Sequence, residues 1–351
     1  MKYFSLIFLF VSFFDGRAQY YGNNAFTSLT SLLPAKSTGT GHALIAVKTS
    51  DLSNAIVNPA LLEQADNGKI LTSTVMHPGG VNQGILAYAF KLKQVAIAPI
   101  IAYSAFGEFT ERDEAGNELG EFSALDYSLG LAISKEINPY MSIGIKSNFL
   151  GSYIENYYAF GMSSSFGAYF TNKAKLLSAS LLARNIGVKF KDYTNTSNDL
   201  LPLNVQAAVS YKLKHAPFRF SLLLNELNRW NNMYIDPNLQ PEIDVLTGDT
   251  IPVDKPNFIE KIGHHVVVQV ELLASKRFHI RGAFDYHRRS ELMVDLRPGM
   301  AGFSLGFGLL LKKFEFNYGF TVYSKAASFH NFSLSTSFKN PKKSNEIKLL
   351  N

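Results

Sequence analysis

Between Lys312 and Ser324 the chain runs KKFEFNYGFTVYS. Phe314, Phe316, Tyr318, Phe320 and Val322 take every second position, with Glu315, Asn317, Gly319, Thr321 and Tyr323 between them. A period of two belongs to a β-strand with one apolar face. The pattern recurs from residue 69 onward. Tyr127, Leu129, Leu131 and Ile133 share a face in DYSLGLAIS, as do Val205, Ala207, Val209, Tyr211 and Leu213 in NVQAAVSYKL. In FHIRGAFDYH, Phe278, Ile280, Phe284 and Tyr286 oppose His279, Arg281, Asp285 and His287. Such segments predict strands near 69–76, 81–91, 94–104, 122–135, 139–151, 157–171, 175–190, 201–213, 217–228, 264–275, 277–289, 300–312, 314–324 and 329–338. Many exceed the usual soluble strand of about five or six residues. No helix is expected within this region.

The connections fall into two classes. Taken alternately, one set is short: KLKQ, KEINP, TNKAK, LKHAP, ASKR and KK. The other holds the long ones, 105–121, 151–157, 190–201, 229–263 and 289–299, with only HPGG and a link near 325–328 breaking the rule. A membrane β-barrel sorts its loops this way, short turns to the periplasm and long loops outside. A soluble Greek-key sandwich has no reason to. The expected fold is all-β, an antiparallel transmembrane β-barrel of about fourteen strands. Phe314 and its partners then face lipid. Arg219, Arg281, Asp285 and Glu315 fall on the opposite face as a candidate lumen charge network, because Arg or Lys on the lipid face costs about 2–4 kcal/mol at the midplane. The competing architecture is a large soluble β-protein enclosing a lipid-like cargo.

The two ends do not follow the strand pattern. Lys2 and the apolar run YFSLIFLFVSFF predict a secretory signal peptide over 1–18, too short to span a bilayer, with cleavage after Ala18. Residues 19–68 contain a short helix start near Asp51 or Ser53, broken by Pro59, and are expected to form a hatch or plug in the barrel mouth. Residues 339–351, after Phe338, make a polar tail expected in the periplasm. The chain has 28 Phe and 17 Tyr, one Trp and no cysteine, so disulfides, thiolate nucleophiles and Cys-ligated metals are excluded. A net charge of +6 on an exported chain suits anionic lipid headgroups better than nucleic acid.

Three motifs carry candidate chemistry. GFSLG around Ser304 matches a nucleophile elbow, but it lies inside a period-two strand, no Asp follows it, and His330 is the only later His. The glycines are expected to make room in the lumen. The eight His show no H-x-x-x-H spacing, and His264 and His265 on one strand would face opposite sides, so no metal site is expected. The 229–263 loop is too long for a hairpin link and carries the single Trp and several Pro. Trp230, Tyr234, Asp236 and Phe258 are its candidate partner-binding residues, since aromatic residues are preferred interface anchors. The charged run at 288–300 is read as a solvated loop.

DLSNAIVNPALLEQ resembles the N-terminal Asp…Asn-Pro-Ala signature of the long-chain fatty acid transporter-like barrels, with Asp51, Asn58 and Pro59 in the motif. That resemblance implies fourteen strands and an N-terminal hatch. GTGHALIAVKTSDLSNAIVNPALL, SLLLNELNRWNNMYIDPNLQPEIDVLTGDTI and RRSELMVDLRPGMAGFSLGFGLLLKKFEFNYGFTVYS are similar to the PorQ family of the type IX secretion system. This second resemblance spans essentially the whole mature chain. It implies an outer-membrane scaffold without catalytic residues or cofactors, holding a PorZ-like surface protein. PorU-like and PorV-like members complete the attachment complex it implies, which links secreted cargo to lipopolysaccharide.

The leading expectation is therefore a secretion scaffold in the outer membrane. The second is a transporter of hydrophobic compounds such as long-chain fatty acids, which requires a strand kink or lateral gap and an apolar pocket near the hatch. Lumen positions dominated by Gly, Ser and charge argue against a continuous greasy path. A phospholipase-type enzyme needs a Ser–His pair with an orienting residue, and no convincing set is visible.

Overall fold

The computed structural model describes residues 25–26, 32–49, 51–77, 80–194, 201–233, 242–243, 250–251, 257–293, 299–324 and 327–338. The expected signal peptide, the tail after Phe338, Tyr234 and Asp236 lie outside them.

Fourteen strands close one antiparallel barrel. In chain order they are β1 (Lys69–Met76), β2 (Asn82–Tyr88, resumed as Phe90–Leu92), β3 (Val95–Arg112), β4 (Glu118–Asn138), β5 (Met141–Ile154), β6 (Tyr157–Thr171) and β7 (Leu177–Lys191). Then follow β8 (Asn204–Lys212), β9 (Phe218–Leu224), β10 (Val266–Leu272), β11 (Phe278–Asp285), β12 (Phe303–Leu310), β13 (Phe314–Val322) and β14 (Ser328–Ser337). Each pairs with its sequence neighbour, and β1 returns to β14, Lys69 opposite Ser337 and Met76 opposite His330. Closure leaves no edge strand, as a sheet in lipid requires.

Alternation decides which side chain goes where. Along β13, Glu315, Asn317, Gly319 and Thr321 are buried and Phe314 is exposed. Along β4, Ser128 and Ala132 point in while Leu129 and Leu131 stay about half exposed, at 51% and 45%. Leu181, Phe220, Val268 and Leu305 continue this apolar outer face on other strands. It is far larger than the few hundred Å² of apolar patch a soluble monomer exposes.

Several boundaries depart from the expected ones. The 105–121 connection is mostly strand, because β3 and β4 stay paired past a register shift at Ala105–Glu108 and turn only at 113–117. The 151–157 connection is a two-residue turn, Glu155–Asn156, with Glu155 at φ 54°. Two short helices occupy the region where none was expected. Phe258–Gly263 is capped by Asn257, which accepts from Glu260 N while the Glu260 carboxylate accepts from Asn257 N. The strand expected over 277–289 stops at Asp285, whose carboxylate accepts the Arg288 N–H and starts the helix Tyr286–Leu292. The Asp285 cap thus overrode the alternation expected over 277–289, whereas the helix at 258–263 lies in a stretch expected as a loop.

An Arg placed on the outer apolar face tests the inside–outside assignment. Leu129→Arg should lower unfolding stability by about 2–4 kcal/mol in lipid vesicles, as a mid-depth charge does. Denaturant titration measures it. An unchanged midpoint would mean that this face does not meet lipid.

Candidate functional site

Residues 32–49 and 51–66 pack against the inward face of the barrel wall, with only short helical pieces. These are α1 (Ala35–Thr38), α2 (Ser53–Val57) and 3₁₀ turns at Leu44–Ala46, Pro59–Leu61 and Gln64–Asp66. Such a chain leaves many backbone groups unpaired by its own structure. The barrel wall supplies the partners. Ser180 and Ser178 donate to the carbonyls of Ile45 and Ala46 at 2.8 and 2.7 Å. Ser142 donates to Ala60 O at 2.6 Å and Lys146 to Ile56 O at 2.8 Å. Ser333 accepts the Ala35 N–H at 2.8 Å, and Asn331 donates to Leu33 O.

The Asp51-to-Pro59 motif organises the segment from within. Asn54 and Asn58, one helical turn apart, donate to Val47 O and Ile45 O, both at 2.8 Å. Asn58 also accepts from Ala60 N and caps the 3₁₀ turn that Pro59 opens. Asp51 accepts from Thr49 and Ser53 at 2.9 and 2.6 Å.

Asp51 also joins a charge network that crosses the lumen. Lys36 Nζ lies 2.7 Å from Asp51 and 2.6 Å from Glu315. Asn317 donates to Asp51 at 3.2 Å and accepts from Arg281 at 3.0 Å. Glu271 takes Arg281 on one oxygen at 2.8 Å and Arg219 on the other at 2.6 Å. Lys36, Arg219 and Arg281 thereby meet Asp51, Glu315 and Glu271, three cations to three carboxylates. Of the four charges expected here, Arg219, Arg281 and Glu315 join this network. Asp285 does not: it is engaged by Arg288 at the start of its helix. Lys36 and Glu271 were missed. Glu271 was legible as the polar position between Val270 and Leu272, whereas Lys36 sits in a segment without periodicity.

Close approach explains the lumen glycines. A Cβ on Gly39 would stand 2.9 Å from the Cα of Gly306, so α1 meets the wall only because both positions are bare. A Cβ on Gly308 would stand 2.9 Å from the Arg281 guanidinium. Ser304, the would-be nucleophile, shares a hydrogen bond with Thr321 at 2.8 Å.

The lumen is not uniformly polar, which corrects the expectation of Gly, Ser and charge throughout. Leu71, Ile85, Ala87, Ala98 and Ile100 of β1–β3 form an apolar cluster with Leu32, Leu52 and Ile56. The segment VAIAPIIAY is apolar on both faces, so alternation could not reveal its inner side. A cavity opens beside this cluster. Phe26, Leu32, Ile56 and Ile100 form its greasy wall, and Lys146 and Arg184 reach it from β5 and β7. At that point β7 is bulged: its register against β6 shifts between Ser164 and Phe166, and Asn185 adopts φ 60°.

At the long-loop end, Trp230 stacks on His265 with centroids 5.5 Å apart and tilts against Phe258 at 5.9 Å. Trp230 and Phe258 therefore come together, both exposed. His264 and His265 are not on a strand as expected. They follow the helix 258–263, and His264 Nδ1 lies 3.0 Å from His287 Nδ1 and 3.8 Å from Glu291. Burial, aided by the neighbouring His287, holds the His264 imidazole below its ordinary pKa and hence neutral at pH 7.

This is the architecture of an outer-membrane-type barrel with fourteen strands. No protein-family model matches the chain, and no curated protein is significantly similar in sequence. Solved structures do share the fold. One is the CymD monoaromatic hydrocarbon channel, at TM-score 0.54 and 12% identity over 88% of this chain and 98% of that one. Another is the Pseudomonas putida toluene transporter TodX, at TM-score 0.52 and 11% identity over 87% and 97%. A looser likeness, TM-score 0.45 and 12% identity, is to a Pseudomonas aeruginosa FadL homologue, with 88% and 98% covered.

Lys36→Met should cost about 3–5 kcal/mol by stranding Asp51 and Glu315 in the lumen. The chain lacks cysteine, so Ala55→Cys, at a buried position, can report on the segment by its rate of thiol labelling. Labelling should be slow in the parent and fast beside Lys36→Met. Equal rates would show that the network does not hold the segment.

Proposed function

We propose that the protein is an outer-membrane channel for hydrophobic small molecules with an acidic head, of which long-chain fatty acids are the best fit. The observation that carries this reading is the lumen cavity. At about 60 Å³ the cavity takes only a few methylene groups of such a chain; its apolar wall suits them, and Lys146 and Arg184 suit a carboxylate. The bulge at Arg184–Asn185 sits beside it and supplies the strand irregularity a lateral path needs. The neighbours named as a hydrocarbon channel and a toluene transporter support the same reading through their fold. Residues 32–66 act as the plug, and the apolar belt seats the barrel in the outer membrane after export. Lys146 already donates to Ile56 O, so an incoming carboxylate competes with the plug for that ammonium.

The test is direct binding of radiolabelled palmitate to the purified barrel, together with uptake in cells lacking their own fatty acid transporter. Lys146→Ala combined with Arg184→Ala should weaken binding about tenfold or more, the scale of a lost charged hydrogen-bond pair. Palmitate that neither binds nor enters sinks the proposal.

A second reading is favoured by the exposed Trp230–Phe258 pair, with Ile259 79% exposed beside it at the outer rim. In this reading the barrel holds a surface protein of the PorZ kind, with PorU-like and PorV-like members nearby, as a type IX secretion scaffold. Exposed aromatics at a rim are the usual anchors of such an interface. A gentle-detergent pull-down compares the intact barrel with one whose 229–263 loop is replaced by a short turn. Capture of a PorZ-like protein by the intact form alone supports the scaffold, and an intact barrel that comes down bare removes it.

A further inference from the structure

Two connections at the long-loop end meet at one cluster through their described residues 257–265 and 286–293. The helix Phe258–Gly263 ends by presenting His264, whose backbone is still helical and whose N–H donates to Glu260 O, while the His265 N–H donates to Ile262 O. The helix Tyr286–Leu292 presents His287 and Glu291 four residues apart, hence on one face. Nitrogen and oxygen ligand atoms of His264, His287 and Glu291 all lie within 4.8 Å of one another. The ring of Tyr286 packs edge-on against His264 at 5.4 Å and fixes its plane. The side chain of His264 is 1% exposed and that of Glu291 24%, so one flank of the cluster is sealed and the other faces solvent.

We propose that His264, His287 and Glu291 form a zinc-binding site that ties these two outer loops together. Ligands each about 2.0–2.1 Å from a zinc ion stand about 3.3 Å apart in a tetrahedron. The 3.0 and 3.8 Å separations bracket that value. Two imidazole nitrogens and a carboxylate oxygen are a donor set for zinc-class ions, whereas calcium takes six to eight oxygens. Three protein ligands leave the fourth position, on the Glu291 flank, to water. The ordinary alternative is an imidazole–imidazole hydrogen bond, one Nδ1–H donating to the other Nδ1. In the zinc form the ring that donated moves its proton from Nδ1 to Nε2, so both Nδ1 lone pairs turn to the ion. The site is independent of what passes through the lumen.

The chain supplies its own reporter. Trp230 is the single tryptophan and stacks on His265, the residue after His264. Full-length barrel in detergent, stripped with a chelator, is titrated with zinc chloride against a fluorescent zinc indicator while Trp230 emission is followed. One zinc per barrel is expected, with a change in Trp230 emission. Affinity should fall at least about tenfold in His287→Ala and in Glu291→Gln. His215→Ala, in a turn at the opposite end, should leave it unchanged. Glu291→Gln is close to isosteric, and heat-modifiable gel migration confirms that each variant is folded. Failure of the parent to take up zinc overturns the proposal. So does equal affinity in His287→Ala and Glu291→Gln, which would place the ion on other histidines.

Discussion

The need to satisfy backbone polar groups away from water governs the inside of this molecule. The barrel wall meets it by pairing every strand with two others. The segment over 32–66 has no such ladder, and its carbonyls would each be costly if left bare. The wall's inward Ser, Asn and Lys side chains stand in for the missing ladder: Ser142, Lys146, Ser178, Ser180 and Asn331 each donate to a carbonyl of that segment. The same logic extends to charge. Lys36 could not enter a lumen without Asp51 and Glu315, and Glu271 offsets the two arginines beside them. A polar inner face is thus a binding surface for the chain's own beginning.

The barrel was legible because period-two alternation survives wherever one face is apolar and the other polar. Segments such as FEFNYGFTV carried it plainly, and all fourteen strands fall where that pattern put them. It failed where both faces are apolar, as in VAIAPIIAY, and so hid the greasy sector of the lumen. It also failed where a short-range cap competes with it, as Asp285 does. Lys36 was invisible for a different reason. Its partners lie 15 and 279 residues away, and no local pattern encodes such a meeting. The H-x-x-x-E spacing of His287 and Glu291 was in the sequence, but it acquires meaning only once that stretch is known to be helical.

The two functional readings use different parts of the molecule. The cavity with Lys146 and Arg184 is enclosed by the wall, while Trp230 and Phe258 stand on the outer rim. Among the described residues, those lining the cavity and those of the Trp230–Phe258 pair are separate sets. A barrel can carry a small molecule through its middle and hold a macromolecule at its lip.

The closing seam has a consequence for assembly. β1 and β14 are joined across nearly the whole chain, and the segment before β1 is bonded to both sides of the last turn: Lys36 to Glu315, and Ala35 and Leu33 to Ser333 and Asn331. The contacts of residues 32–36 with the wall are therefore complete only once the last hairpin has joined β1. Such long-range pairing is slow to form. The seam and the segment thus hold each other, like the last stave of a cask and its hoop.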